Sequence, residues 1–149
     1  MLIGVAVDLP SAEDEKVRAE KVKAQLARLT ELMQEFSTLP LRFSDLGECN
    51  VLGAHHQVEQ CYSPDINKPT IIYPVRIKDT AQVIRNKNGV IWHLSNLPST
   101  RVPHQSGRDL FVTCDESQVN KHVLYPDEAL LKSMEIFKSL PHLKAKSRG

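Results

Sequence analysis

Apolar positions run without interruption through the opening stretch LIGVAVDL, residues 2–9, until Asp8 breaks them. An apolar, β-branched run of that length, with no polar alternation, predicts a strand buried on both faces. The period then changes. Ser11 followed by Asp14 is a start signal for a helix, and Val22, Leu26, Leu29, Met33 and Phe36 recur at steps of four and three before Pro40 stops the pattern. That spacing draws one apolar stripe down a long helix whose other faces carry Arg18, Lys21, Lys23, Arg28, Glu31 and Gln34.

From Leu41 to Pro69 no period holds, apart from a short strand near residues 41–43, so an irregular segment is expected there. Alternation returns in TIIYPVRI, residues 70–77, with Ile71, Tyr73, Val75 and Ile77 on one side and Pro74 marking an edge or a bulge. In AQVIRNKNGVIWHL, residues 81–94, Asn88-Gly89 separates two apolar runs. Both residues tolerate positive φ, which predicts a β-hairpin; a helix over Thr80 to Arg85 is the competing assignment. RDLFVTC, residues 108–114, adds a strand with Leu110, Val112 and Cys114 on one face. Pro126, Asp127 and Glu128 suit the start of a final helix, striped by Leu130, Met134 and Phe137 and stopped by Pro141, with 141–149 a frayed basic tail. The elements predict one α+β domain over 1–149, a mostly antiparallel sheet of four or five strands. The long N-terminal-half helix and the C-terminal helix would cover it.

Composition narrows the setting more than the chemistry. With 149 residues, 41% hydrophobic and 25% charged, the chain is of ordinary globular make-up, long enough to bury a core without staples. Nineteen basic and eighteen acidic residues leave a formal charge of +1, so binding to nucleic acid would need a local patch rather than a global field. Three cysteines, no basic leader before the apolar opening and no bilayer-length apolar stretch predict a reducing, cytoplasmic setting without membrane association.

Candidate chemistry falls in three places. Cys49, His55, His56 and Cys61 carry the donors of a tetrahedral zinc site, although their spacings differ from the close ligand pairs that pre-organise such sites. Cys49 with His55 or His56 is also the residue pair of a thiol nucleophile, with Glu48 beside it opposing a thiolate. Asp8, at the end of the first strand, is the candidate catalytic carboxylate; Asp45, Glu48, Glu59 or Asp115 would join it around magnesium. Arg101, His104 and Arg108 in a Pro- and Ser-rich loop, extended by Arg76, Arg85 and Lys87, form a candidate anion or nucleic-acid strip, with Trp92 or Tyr73 available to stack on a base. No phosphate-loop or dinucleotide glycine motif is present.

The expected function is that of a small cytoplasmic binding or accessory protein without catalytic activity, acting through a protein partner, a second copy or nucleic acid. No cofactor is expected. The alternative is a metal-assisted hydrolase or nuclease using Asp8 and its acidic partners, or zinc held by Cys49, His55, His56 and Cys61.

Overall fold

The first strand, β1 (Leu2–Ala6), is buried along its whole length. In the computed structural model, which describes residues 1–7, 16–37, 39–47, 50–95, 99 and 101–148 without the side chains of 16–19 and 140–148, β1 lies inside a parallel sheet. The remaining strands are β2 (Arg42–Asp45), β3 (Thr70–Val75), β4 (Val90–Leu94), β5 (Leu110–Val112) and β6 (Val123–Leu124). The helices are α1 (Lys16–Phe36), α2 (Val51–Cys61), α3 (Lys78–Asn86) and α4 (Pro126–Arg148). Strand order is β2-β3-β1-β4-β5-β6, and every neighbouring pair is parallel.

This corrects the α+β, mostly antiparallel expectation of four or five strands: the sheet has six strands and the architecture is α/β. The physical reason is burial on both faces. Ile3 and Val5 pack with Val22, Leu29 and Met33 of α1, while Leu2 and Ala6 pack with Ala54 of α2 and Ala81 and Ile84 of α3. Two apolar faces require helices on both sides, which crossover connections between parallel strands supply. Gly4 permits the close approach of α3, since a Cβ there would meet Ile84 Cδ1 at 2.8 Å.

The predicted hairpin is likewise replaced. α3 occupies Lys78–Asn86, as the competing assignment had it, and Asn88-Gly89 ends that helix. Asn88 takes φ 61°, its amide donates to Arg85 O at 2.9 Å, and the Gly89 amide donates to Ile84 O at 2.9 Å. These are the paired bonds of a Schellman C-cap. A positive-φ residue followed by glycine suits a hairpin turn and a helix end equally, and here the tertiary setting selects the helix end.

The segment from 41 to 69 contains β2, where a short strand near 41–43 is expected, and α2, in a stretch expected to be irregular. Asn50 caps α2 through its side-chain oxygen, which accepts from the Gly53 amide at 2.7 Å, and Ala54 and Val58 bury the helix against the sheet. Thr70 to Val75 does form a strand, with a register shift against β1 between Gly4 and Ala6, so Ile72 and Val75 face the same core. The Tyr73–Pro74 peptide is cis. α4 starts at Pro126 as expected but continues through Pro141 to Arg148.

The chain steps from β1 out to β2 across β3, then turns back and moves the other way for every later strand. Crossovers of constant hand put the first helix on one face and the returning helices on the other. The packing agrees: α1 and α4 share one core, α2 and α3 the other. Where the direction of winding reverses, helices leave adjacent strands on opposite sides, and a crevice opens beyond the carboxyl ends of the strands.

Candidate functional site

Two cavities lie at that carboxyl edge, one on each face, meeting at Pro74. The first, about 320 Å³, is bounded by Leu46 and Asn50 where the chain enters α2, by Pro74, Arg76 and Thr80 where it enters α3, and by Arg101. The second, about 610 Å³, is bounded on the α1 side by Lys23 and Thr30 and on the sheet side by Asp45, Gly47 and Tyr73. Burial and the nearby Asp45 carboxylate push the Tyr73 hydroxyl above its ordinary range.

The first cavity has the chemistry of an anion site. Arg76 follows β3 directly, and one guanidinium nitrogen donates to Leu46 O (3.3 Å) and Gly47 O (2.5 Å), tying it to the end of β2, where Leu46 bounds the cavity. Arg101 also bounds the cavity and is exposed. Among the described residues, neither arginine pairs with a carboxylate. α3 begins without a side-chain cap, and Asn50 caps one first-turn amide of α2; the first amides of a helix have no intrahelical partner and mark its positive end. Thr80, buried to 4% exposure, sits in the first turn of α3, and its hydroxyl lies 3.2 Å from His55 Nε2.

A second polar cluster lies deeper on the same face. His93 of β4 and Arg85 of α3, each 2% exposed, converge on Asp109, 5% exposed. His93 Nε2 is 2.8 Å from Asp109 Oδ2, Arg85 Nε donates to Oδ1 at 3.3 Å, Arg85 also pairs with Oδ2, and the Gln105 amide donates to Oδ2 at 3.0 Å. Burial alone would raise the Asp109 carboxyl, but the hydrogen bonds from His93, Arg85 and Gln105 outweigh it, so the group lies below its ordinary range. Arg85 also donates to Pro103 O, and His104 stacks on Phe111 with ring centroids 4.4 Å apart. These contacts hold the described residues 103–109 of the connection from β4 to β5 against the sheet.

The expected basic strip is therefore divided. Arg85 is a buried ion-pair partner, and Arg108 donates to Arg85 O and Gly89 O. Lys87 sits 3.9 Å from Glu59 and over the Tyr62 ring, and His104 lies on Phe111. Arg101 and Arg76 are the members that bound a cavity. Trp92, a proposed stacking platform, is fully buried, with its indole donating to Ser133 Oγ at 2.8 Å.

Of the candidate metal ligands, Cys49 lies outside the described residues, as do Asp8 and Glu48. His55, His56 and Cys61 fall on α2, where successive positions turn by ~100°: His55 turns to Thr80, His56 is exposed, and Cys61 lies near Gln57. Among the described residues no three His, Cys, Asp or Glu side chains gather as a metal site. Asp45 closes β2 and binds the Gly47 amide, Glu59 pairs with Lys87, and Asp115 follows β5 and caps a 3₁₀ turn through the Ser117 amide. β2 and β5 are four strand positions apart, roughly 19 Å at ~4.8 Å per strand, too far for their acidic groups to share one ion.

The residue pattern does not single out Thr80 or Asn50, and it places Arg76 in a basic strip. A βαβ reading of residues 70–94 would have placed Arg76 and Thr80 at a strand end and a helix start. Comparison with protein-family models, with curated proteins and with solved structures finds no match for this chain. Among the described residues no helix is long and apolar enough to cross a membrane.

Proposed function

We propose that the protein binds a small anionic ligand, a phosphate or phosphomonoester, in the cavity between the starts of α2 and α3. The observation that carries this reading is the pair of guanidiniums, Arg76 and Arg101, bounding one cavity without a described carboxylate partner. A guanidinium presents a planar fork that fits phosphate oxygens, and uncapped helix amides add donors of the same sign. The volume, about 320 Å³, is in the range of small-ligand sites. The reading keeps the expectation of a binding protein and gives it a ligand class.

Nucleic acid is the weaker candidate, because Arg85, Lys87, His104 and Arg108 are engaged within the fold and Trp92 is buried. The metal-assisted alternative depends on Asp8 and Cys49, outside the described residues, and no described trio of ligands supports it.

Calorimetric titration with inorganic phosphate, pyrophosphate and a panel of phosphomonoesters tests the proposal. Saturable binding by the full chain, weakened at least about tenfold by Arg101→Ala, corresponds to the loss of one charge-assisted contact. Absence of saturable binding, or an Arg101→Ala titration identical to wild type, rejects it.

A further inference from the structure

The second cavity differs in chemistry from the first and adjoins it at Pro74, which bounds both. Asp45 and Tyr73 are paired in register across β2 and β3, so their side chains leave the same face of the sheet on strands roughly 4.8 Å apart. That face is the one toward α1: Phe43 and Tyr73 pack against its core, and Asp45 lies two positions beyond Phe43. One carboxylate oxygen of Asp45, Oδ1, accepts from the Gly47 amide at 2.7 Å, and Oδ2 has no hydrogen-bond partner among the described residues. The Tyr73 hydroxyl has none among them either. Burial, and after it the Asp45 charge, pushes this hydroxyl above its ordinary range, so it keeps its hydrogen at neutral pH. Lys23 adds an exposed ammonium on the α1 side, and buried Leu26 with Pro74 supplies apolar wall.

We infer that the ligand is a phosphorylated sugar or polyol, its phosphate held between Arg76 and Arg101 and its hydroxylated carbon skeleton crossing Pro74 into the second cavity, where Asp45 and Tyr73 bind the hydroxyls. This rests on the reading of the first cavity as an anion site and adds the class of the organic group. The two cavities are complementary to the two ends of such a molecule. Arg76 and Arg101 offer donors of one sign, whereas a carboxylate, a phenol and an ammonium offer acceptors and donors that balance in charge. A second anionic group would be repelled by Asp45. A hydroxyl both donates and accepts, so it can give its hydrogen to the free carboxylate oxygen while taking one from Tyr73 or Lys23. The C–H surface of the skeleton meets Leu26 and Pro74. At about 610 Å³ the second cavity is within the size of small-ligand sites, and the crevice beyond the carboxyl ends of parallel strands lets one molecule reach both faces of the sheet.

The test is calorimetric titration of the full chain with inorganic phosphate, butyl phosphate, glycerol 3-phosphate, ribose 5-phosphate and glucose 6-phosphate. At least one of the hydroxylated esters should bind about tenfold more tightly than both inorganic phosphate and butyl phosphate, as expected for a hydrogen bond to a charged acceptor. Asp45→Asn keeps an oxygen for the Gly47 amide and should remove about tenfold of that advantage; Tyr73→Phe keeps the ring and should remove about threefold. Both variants should bind inorganic phosphate as the wild type does, which also shows that they are folded. Tyr73→Phe carries the test alone if the loss of the Asp45 charge unsettles the fold. Arg101→Ala should weaken every probe that binds. Butyl phosphate binding as tightly as the best hydroxylated ester, or a full advantage retained in both variants, overturns the inference and leaves the Arg101-dependent anion site standing. A chain that binds none of the probes loses the site and the inference together.

Discussion

The α2–α3 side of the sheet holds two polar clusters that differ in one respect, whether their charges are already matched. Around Asp109 the matching is complete: Arg85 and His93 converge on the carboxylate, and the Gln105 amide takes a further acceptor position. The three side chains lie almost wholly inside. At the carboxyl edge, Arg76 and Arg101 bound an open cavity with no described carboxylate between them. A buried cluster left unmatched would destabilise the fold, because desolvated charge needs a partner. An open one costs little and remains available to a ligand. The first cluster therefore belongs to the structure, and the second is where binding should be sought.

Substitutions should separate the two. The largest loss is expected from Asp109→Asn, which leaves Arg85 buried without its counter-charge. Breaking a buried pair in this way costs about 3–5 kcal/mol, read from the midpoint and slope of denaturant unfolding. A loss under ~1 kcal/mol would mean that water reaches the cluster and that the contrast is false. Acid should act on the same group. Because the folded carboxyl lies below its ordinary range, its stabilisation is complete above the unfolded value near ~3.9 and is lost as pH falls through the lower folded value. Unfolding free energy followed downward from about pH 6 should show this limb in wild type and lack it in Asp109→Asn.

Arg76→Ala should have an intermediate effect, since it removes donors to Leu46 O and Gly47 O from a partly buried site. About 1.5–3 kcal/mol is the scale for hydrogen bonds from a charged group, toward the low end where the group is half exposed. The same variant should weaken phosphate binding, linking the wall of the cavity to its use. Arg101→Ala should have the smallest effect on stability, within about 0.5 kcal/mol of wild type by thermal unfolding, while affecting anion affinity most directly. An Arg101 variant that unfolded readily would place this residue with the closed cluster instead.

The contrast also accounts for what the residue pattern revealed. The stripe from Val22 to Met33 is local information, three and four residues apart, and it buries as the period requires. Phe36 at its end stays 44% exposed. The continuous run through β1 correctly signalled burial on both faces, yet the equivalent runs in β3 and β4 were assigned to an antiparallel sheet. Asn88-Gly89 misled because positive φ is a property of two residues, whereas the choice between turning back and ending a helix belongs to what lies beneath Ile84. α2 is not legible in the pattern although Asn50, Ala54 and Val58 carry a cap and a spacing, because the polar run His55, His56 and Gln57 interrupts the apolar period between them.

The sites divide along the same line. Arg101 was legible as an anion-binding candidate because a guanidinium is a donor wherever it stands. Its separation from Arg85, Lys87 and Arg108 was not, since those residues meet Asp109, Glu59 and backbone carbonyls only after the chain has folded. What the sequence determined by itself were the places where a side chain's character and a short repeat suffice: the buried first strand, the long striped helix, the proline start of α4. The parallel order of the strands, the reversal that opens the carboxyl edge, and the sorting of like charges into a neutralised interior and an open rim were decided by the tertiary structure. Those depend on which distant residues share a low-dielectric space, and a linear pattern does not encode that distance.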